Sequence, residues 1–304
     1  MNFDVVIPTK NRPKDLSRLI ESINSSTVLP LNVIIIDQSD KIESVVSSDK
    51  YNVNHIHAKE VTGLCAAKNL GVSHCHSDVI HFFDDDIILD SDYFEIINQH
   101  LSKNPDVYGV CGRQKNSKSS RIKLAAFSLF HTGPFKDIRK KCNSGYEKKE
   151  FVLTNILPGG ITAYRKEIFN LFHFDEALIK YCLGEDMDFS YRASKKYKLA
   201  FATNALALHN HSQIGRYDPL ESYACKVAGY SYFYEKNLRK SLKNRLSYCM
   251  VICGLLFDAA SYTLKHFDAD AIKGVVKGRK YVKRRYEGVP FLDTSKINFI
   301  KSEK

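Results

Sequence analysis

The chain has 304 residues, 44% of them hydrophobic and 26% charged, so it is long enough and apolar enough to bury a sizeable core. This composition excludes an intrinsically disordered protein. Met1 is not followed by a basic segment with a cleavage site, so a secretory signal peptide is not predicted. The eight cysteines are expected to be inert free thiols in a reducing compartment, and a zinc site on Cys249 and Cys253 is the weaker alternative.

The formal net charge of +11 is concentrated in the last third of the chain. Residues 214–304 contain 18 Lys and Arg against 9 Asp and Glu, which is a surplus of nine positive charges. A basic region of this kind binds nucleic acid, binds an anionic membrane surface or increases solubility. We therefore expect two units: residues 1–213, which carry the α/β pattern, and residues 214–304, a basic, Tyr-rich and mainly helical region.

Strand and helix patterns alternate along the first 110 residues. Apolar runs predict strands at 3–8, 32–37 and 78–83, with a weaker one at 53–58. Helices are predicted from Pro13, over 64–75 and over 91–103. Repeated β-then-α units indicate an α/β fold with an open, mostly parallel sheet. Residues 113–150 are polar and basic, and we predict a mobile loop there that forms a lid or meets the acceptor.

Three consecutive carboxylates, Asp84, Asp85 and Asp86, come directly after a predicted buried strand. Adjacent carboxylates repel one another unless they are solvated or bind a cation. Hard divalent cations such as Mg²⁺ and Mn²⁺ prefer oxygen ligands and bridge carboxylates to phosphates, so the triplet indicates a metal–diphosphate site, with a solvated turn as the alternative. In open α/β sheets, ligands bind outside the carboxyl ends of the strands, where Thr9 and Asp37 also lie.

Seven motifs follow one another over about the first 215 residues. They are IPTKNRPKDL (7–16), IIIDQSD (34–40), GLCAAKNLGV (63–72), FFDDDIIL (82–89), PGGITAYRKEIF (158–169), GEDMDFSYR (184–192) and HNH (209–211). With these motifs in this order, the chain resembles the family 2 inverting glycosyltransferases of bacterial polysaccharide synthesis. The resemblance implies the GT-A fold, which is a Rossmann-like, mostly parallel open sheet flanked by helices. The tail would add a C-terminal helical appendix.

The resemblance also implies which residues bind the nucleotide-sugar donor and the metal. Donor contacts are expected from Pro8, Thr9, Arg12, Asp37, Lys68, Asn69, Asp84 and Asp85. Among them, Asp37 would bind the base. Lys68 stands where the family usually has Arg, and a lysine supplies a single charged ammonium group that cannot form the two parallel hydrogen bonds of an arginine. Asp86 would ligate Mn²⁺ or Mg²⁺, with His209 or His211 as a further ligand. Alternation along an extended segment turns these two histidines to opposite sides, so we expect one of them to serve.

The acceptor side of the site is expected to contain two glycines and two acids. Gly159 and Gly160 permit close approach of the backbone to the sugar or the acceptor. Glu185 and Asp186 begin a predicted helix, where the helix dipole favours acids. Inversion by direct displacement requires a base that takes the proton of the acceptor hydroxyl, and by the resemblance that base is Asp186, with Glu185 beside it.

These residues predict a metal-dependent inverting glycosyltransferase. The donor would be a nucleoside diphosphate sugar, a UDP-sugar by preference, and the acceptor a hydroxyl of a glycan or a lipid-linked saccharide. A sugar-1-phosphate nucleotidyltransferase is an alternative, although the run PTKNRPKD lacks the glycines of that class. A non-catalytic basic protein that binds nucleic acid is the alternative of another class, and positive charge is its sole support.

A nearly apolar segment, LSYCMVICGLLFDAASYTL (246–264), lies within the basic tail. It contains Asp258 and is too short and interrupted to predict a membrane-spanning helix, which needs about 20 apolar residues. Apolar residues beside clustered Lys and Arg are typical of a helix that lies on an anionic membrane surface. We therefore predict a cytoplasmic protein, peripheral on the cytoplasmic face of the membrane. Packing of the segment on the catalytic unit is the alternative.

Overall fold

The structure is a computed structural model that describes residues 1–42, 46–178, 184–212, 214 and 217–286. Its strands are β1 (Phe3–Thr9), β2 (Asn32–Asp37), β3 (Asn52–His57), β4 (Val79–Phe83), β5 (Ile87–Leu89), β6 (Val107–Gln114), β7 (Phe151–Thr154), β8 (Ile161–Arg165) and β9 (Lys198–His209). Its helices are α1 (Pro13–Asn24), α2 (Leu64–Ser73), α3 (Tyr93–Lys103), α4 (Arg121–Phe130), α5 (Arg139–Asn143), α6 (Glu185–Ala193), α7 (Pro219–Asn237), α8 (Leu242–His266) and α9 (Asp270–Tyr286).

The strands form one open sheet in the order β3-β2-β1-β4-β8-β6-β9-β5, with β7 also paired to β9. Strands β3, β2, β1 and β4 run parallel, and β8 runs antiparallel between β4 and β6. Helices flank this sheet, which confirms the predicted α/β class and its GT-A-like architecture. Because Thr9 is in register with Asp37, the carboxyl ends of β1 and β2 meet at one edge of the sheet.

The central strands are buried on both faces, which explains their continuous apolar sequences. Every residue of β1 and β4 is buried. On one face of the sheet, α1 contributes Leu16, Leu19, Ile20 and Ile23 to the core. On the other face, Val6, Ile34 and Phe82 pack in one cluster with Phe189 of α6 and with Ala228 of α7.

The segment 113–150 is not the structureless loop predicted from its polar sequence. It contains α4 and α5 and a 3₁₀ turn between them. The Ser120 side chain accepts a hydrogen bond from the Lys123 backbone N–H and so caps α4. At the other end of α4, Phe130 packs beside Phe257 of α8, with ring centroids 6.0 Å apart. The helix is therefore stabilised by a contact more than a hundred residues away, which a local pattern does not reveal.

The C-terminal helices are joined to the sheet through α7. Its residues Cys225, Ala228 and Tyr232 belong to the same apolar core as the sheet. Asn237 of α7 also donates a hydrogen bond of 2.8 Å to Asp188 of α6, whose carboxylate forms an ion pair with Arg192. Helices α8 and α9 pack on α7. The division at residue 213 thus separates regions of different composition that share a core.

His81 of β4 is a titratable side chain enclosed in an aromatic cage. It is fully buried, with ring centroids 4.9 Å from Phe3, 5.0 Å from Phe94 and 5.8 Å from Phe83. Within the described part of the chain, neither of its ring nitrogens has a hydrogen-bond partner. Burial lowers the pKa of His81 to about 3, so the folded protein holds a neutral imidazole.

We expect His81→Phe to reduce the loss of stability in acid. The unfolded chain binds a proton at this position below pH 6.5, whereas the folded chain does so only near pH 3, so stability falls as the pH falls below 6.5. For one such group the loss between pH 7.5 and pH 5.0 is about 2 kcal/mol. Urea unfolding at both pH values measures it. The exposed His74→Gln serves as control, and an equal pH dependence in wild type and His81→Phe would contradict the prediction.

Candidate active site

Asp85 lies on the side of the site formed by β1. It accepts hydrogen bonds from the Thr9 hydroxyl at 2.7 Å and from the Arg12 guanidinium at 3.0 Å. Arg12 also donates through Nε to the carbonyl of Ile214 at 3.0 Å, so it connects the end of β1 to the segment after β9. Burial raises the pKa of Asp85 to about 6, although Arg12 and Thr9 oppose this shift. Thr9, Arg12 and Asp85 therefore form one hydrogen-bonded group.

Asp84 and Asp86 lie together with His209, apart from the Thr9–Arg12–Asp85 group. One ligand atom from each of the three side chains lies within 4.8 Å of the other two. His209 Nε2 is 3.0 Å from Asp86 Oδ1, and the backbone N–H of Ser212 donates to Asp86 Oδ2 at 2.9 Å. Burial disfavours the ionised Asp86, but the contacts with His209 and Ser212 outweigh it and lower its pKa to about 2. Asp86 is therefore a carboxylate across the working range of pH.

This cluster has the chemistry of a divalent metal site. Two carboxylates and an imidazole are ligands that Mn²⁺ accepts, and carboxylates alone suit Mg²⁺. Among the described residues, no other group of three or more His, Cys, Asp or Glu side chains lies close enough together to bind a metal ion. Cys249 and Cys253, the alternative considered for zinc, are exposed free thiols on α8 and lie outside this cluster.

His211 does not turn away from His209, as alternation along an extended segment had predicted. The ring centroids of the two histidines are 4.1 Å apart. His211 adopts a left-handed backbone conformation with φ of 52°, which interrupts the extended segment and brings its ring beside that of His209. The prediction of opposite sides is therefore wrong, while His209 is the histidine that contacts Asp86.

Two glycines between β7 and β8, Gly159 and Gly160, lie between the Asp84–Asp86–His209 cluster and a second acidic group. A methyl group at Gly160 would lie 2.3 Å from Asp84 Oδ2, and one at Gly159 would lie 1.9 Å from Asp186 Oδ1. Either distance is too short for a side chain, so only glycine fits at these positions without a shift of the carboxylates. The backbone N–H of Asp84 also donates to the Gly160 carbonyl at 3.1 Å. These two glycines bring Asp84 and Asp186 to neighbouring positions.

The second acidic group consists of Glu185 and Asp186 at the start of α6, with Lys68 of α2. Lys68 is 1% exposed, and its Nζ lies 3.0 Å from Asp186 and 3.6 Å from Glu185. Burial would lower the pKa of Lys68, but the two carboxylates outweigh it and raise the pKa. Burial, and then Asp186, raise the pKa of Glu185 against the opposing effect of Lys68. Of the two acids, Asp186 is the more accessible, with 20% of its side chain exposed against 8% for Glu185.

The remaining predicted residues lie at or near the strand ends and contact neighbouring protein groups. Pro8 is in register with Ile36 beside the end of β2. Asp37 accepts a hydrogen bond from the Ser39 backbone N–H at 2.9 Å and lies 3.0 Å from His55 Nε2. Asn69 exchanges hydrogen bonds with the backbone of Phe174 at 2.9 and 3.0 Å, and so positions the segment before α6.

A cavity of about 950 Å³ extends from Asp84 and Asp186 to helices α4, α5, α7 and α8. Its far walls contain cationic and aromatic side chains, including Arg139, Lys140, Lys226 and Phe257. None of these four residues was predicted from the sequence. The signal was nevertheless present, because Arg139 and Lys140 belong to the basic segment 113–150 that was proposed to meet the acceptor.

The open, mostly parallel sheet flanked by helices, with three acids directly after its fourth strand, has the GT-A architecture. The chain belongs to glycosyl transferase family 2, whose family model matches residues 4–172. The protein is therefore a glycosyltransferase. Family membership decides against a nucleotidyltransferase and against a non-catalytic nucleic-acid-binding protein.

Relatives agree with this assignment, and a solved structure shares the fold. The chain is 28% identical to the O-antigen chain rhamnosyltransferase of Salmonella typhimurium, over 73% of this chain and 69% of the relative. It is 33% identical to an Escherichia coli UDP-Gal:alpha-D-GlcNAc-diphosphoundecaprenol beta-1,3-galactosyltransferase, over 34% of this chain and 40% of the relative. A Pyrobaculum calidifontis mannosyltransferase, solved with GDP-Man and Mn²⁺, has a TM-score of 0.59 at 13% identity and covers 95% of this chain and 88% of its own.

Proposed function

We propose that this protein transfers a sugar from a UDP-sugar to a hydroxyl of a glycan or lipid-linked saccharide, with inversion and with a divalent metal. One observation carries the proposal: Gly159 and Gly160 hold the Asp186 carboxylate next to the Asp84–Asp86–His209 cluster at one sheet edge. Relatives in O-antigen and lipid-diphosphate-linked glycan synthesis support this class of acceptor.

Donor binding is assigned to the edge formed by β1, β2 and β4. Pro8, Thr9, Arg12 and Asp85 would line the nucleotide side, with Asp37 at the base, because the carboxyl ends of these parallel strands converge there. Asp84 would face the ribose or the donor sugar. Lys68 and Asn69, expected near the base and the diphosphate, instead contact Asp186 and the segment at Phe174, so we assign them to positioning the acceptor side.

Asp86 and His209, with Asp84, would hold Mn²⁺ or Mg²⁺. Their two carboxylates and imidazole fit such an ion, and Ser212 orients Asp86 toward the cluster through its backbone N–H. When bound, the ion neutralises the charge of the nucleoside diphosphate and so makes it a better leaving group.

Asp186 is assigned the role of base. Its carboxylate opens into the cavity where an acceptor would lie, and the Lys68 ammonium, 3.0 Å away, orients it. A single ionised carboxylate on the acceptor side is what direct displacement requires, because the proton of the attacking hydroxyl is removed as the new bond forms on the face opposite the leaving group. Glu185 is more buried and lies against Lys68, so it supports the position of Asp186.

We expect UDP with Mn²⁺ to raise the melting temperature of the protein. A ligand that binds only the folded state stabilises it by about 2.7 kcal/mol at a hundred times its dissociation constant. A thermal-shift panel of UDP, dTDP and GDP, with and without Mn²⁺, measures the response. Asp86→Asn should remove the dependence on Mn²⁺, and the exposed Asp92→Asn should retain it. No response to any of the three nucleotides would refute the proposed donor class.

Helix α8 is the candidate for contact with a membrane surface. It is long and apolar enough to cross a membrane by length and composition, and 28% of its most apolar window is buried inside the protein. One side of α8 packs through Val251, Leu255 and Ala259. On its other side, Leu246 and Leu264 are 58% and 77% exposed. Since α9 continues the basic sequence beside it, we propose that α8 lies on the anionic cytoplasmic surface.

We expect Leu246→Gln combined with Leu264→Gln to weaken binding to vesicles that contain anionic lipid by about tenfold or more, since each leucine contributes about 1.5–3 kcal/mol on burial. The two positions are 18 residues apart, which is five helical turns, so they share one face. Co-sedimentation with anionic and neutral vesicles measures the effect. Leu171→Gln, at a 54% exposed leucine outside α8, is the control. Unchanged binding of the double variant would rule out this face.

A further inference from the structure

The cavity beyond Asp186 is lined by four lysines, Lys123, Lys140, Lys226 and Lys265, of which Lys226 is the least exposed. Lys140 of α5 and Lys226 of α7 both line it, and within the described residues neither forms an ion pair with a carboxylate. Arg139, which also lines the cavity, differs because it forms an ion pair with Asp137 at 2.7 Å. The positive charge of this cavity therefore comes mainly from lysines, and among the described lysines that line it, Lys140 and Lys226 are the two whose Nζ lies over an aromatic ring.

Lys140 and Lys226 contact aromatic rings, which stabilise a positive charge without supplying a negative one. Lys140 Nζ lies 4.1 Å from the ring centroid of Phe127, and Lys226 Nζ lies 4.2 Å from that of Tyr223. Burial lowers the pKa of both lysines, and Asp258 opposes this only in part. Asp258 already accepts a hydrogen bond from Tyr223 at 2.7 Å, so one shared carboxylate faces two ammonium groups. This wall of the cavity therefore has a net positive charge, which a bound anion would neutralise.

The helix geometry places this charge a short distance from the base. Gly184, the residue before Glu185, packs against Gly229 of α7, since a methyl group on Gly184 would lie 3.6 Å from the Gly229 Cα. Lys226 is three residues earlier on α7, which is about 4.5 Å along the helix axis. Tyr223, which contacts Asp258, is one turn further. Lys226 and Tyr223 thus lie on α7 within about two helical turns of the position that packs beside the start of α6, where Asp186 lies.

Beyond the lysines, the wall of the cavity becomes apolar. Phe127 and Phe130 of α4 face Leu255 and Phe257 of α8 there. Phe257 is 56% exposed and continues onto the outer surface of α8, where Leu264 is 77% exposed. The cavity therefore combines lysines with aromatic and aliphatic side chains of α4 and α8, and its apolar part continues to the exposed surface of α8.

We propose that Lys140 and Lys226 bind the diphosphate of a lipid-diphosphate-linked acceptor, an inference that rests on the proposed function and selects its acceptor class. The acceptor sugar lies at Asp186, the diphosphate lies between the two ammonium groups, and the lipid chain follows Phe130 and Phe257. A neutral glycan would supply no counter-charge to these ammonium groups, which share the single carboxylate of Asp258. A diphosphate supplies several anionic oxygens, to which ammonium groups form strong charge-assisted hydrogen bonds.

Farnesyl diphosphate is a suitable probe, because it combines a diphosphate with a short lipid chain. Its dissociation constant is measured by calorimetry in the presence of a chelator, so that metal at Asp86 does not capture the diphosphate. The variants are Lys140→Gln with Lys226→Gln and, as matched control, Lys195→Gln, since Lys195 Nζ also lies over a tyrosine ring, at 3.7 Å from its centroid. Melting temperature confirms that each variant is folded.

The double lysine variant is expected to weaken farnesyl diphosphate binding by about tenfold or more, while Lys195→Gln binds as wild type does. Inorganic pyrophosphate should bind wild type less tightly than farnesyl diphosphate. Equal binding of the two probes would overturn the lipid part of the inference, and unchanged binding in the double variant would overturn the site. The response of the same variants to UDP with Mn²⁺ is measured separately, so a failure of the proposed function is seen there and not confused with either result.

Discussion

Asp186→Asn should reduce sugar transfer by about a thousandfold, since a positioned general base contributes about 10²–10⁴ to the rate. Asparagine has nearly the same shape as aspartate and still offers an oxygen to Lys68, which lies 3.0 Å away. It cannot accept the proton of the acceptor hydroxyl. The expected result is therefore a loss of transfer with the melting response to UDP and Mn²⁺ retained.

Glu185→Gln is the matched control for this experiment. Glu185 is the neighbour of Asp186, is 6% exposed, and has a raised pKa because it is buried beside another carboxylate. Glutamine resembles the protonated acid, so we expect a loss of transfer at least tenfold smaller than that of Asp186→Asn. If Glu185→Gln abolished transfer and Asp186→Asn did not, Glu185 would be the base.

Lys68→Met is expected to destabilise the protein by about 3–5 kcal/mol, which is the usual cost of removing one partner from a buried ion pair. Lys68 is the one cation within salt-bridge distance of Glu185 and Asp186 in the part of the chain that the structure describes. Without it, two adjacent carboxylates remain at the start of α6, and one of them is almost completely buried. Urea unfolding measures the loss, with the exposed Lys103→Met as control.

The effect of Lys68→Met should depend on pH in a defined direction. In the variant, Glu185 loses the lysine that opposes the rise of its pKa on burial, so the folded state binds more protons than the unfolded chain. The variant's stability is then highest in acid and falls as the pH rises through the raised pKa, and the difference from wild type is smaller at pH 5 than at pH 8. Adding Glu185→Gln should restore part of the lost stability. A loss that is independent of pH and of Glu185 would show that Lys68 acts through packing.

The strand pattern and the positions of the acids could be predicted from local sequence. Buried parallel strands have continuous apolar sequences, and the structure has strands at 3–9, 32–37, 52–57 and 79–83, in agreement with prediction. The three acids follow the fourth strand directly in the sequence, and in the structure a turn at residues 85 and 86 places Asp84 and Asp86 in one cluster and Asp85 outside it. There Asp85 contacts Thr9 and Arg12.

Other features depend on contacts between residues that are far apart in sequence. Helix α4 has no buried residue of its own, and its Phe130 meets α8, so the polar composition of residues 113–150 suggested a loop. The left-handed backbone at His211 reversed the side predicted for its ring. Lys68 was expected near the donor, and its ion pair with Asp186 joins residues 118 positions apart.

The family and the class of fold could be predicted from the sequence, and so could a candidate set of acids, because each prediction depends on residue type and on short-range spacing. Tertiary structure alone decided how those acids are grouped. It placed Asp86 with His209, Asp85 with Arg12, and Asp186 with Lys68. It also assembled a cationic and apolar cavity from α4, α5, α7 and α8. The physical reason is that ion pairs and cavities depend on distances in space, which the packing of separate helices and strands sets.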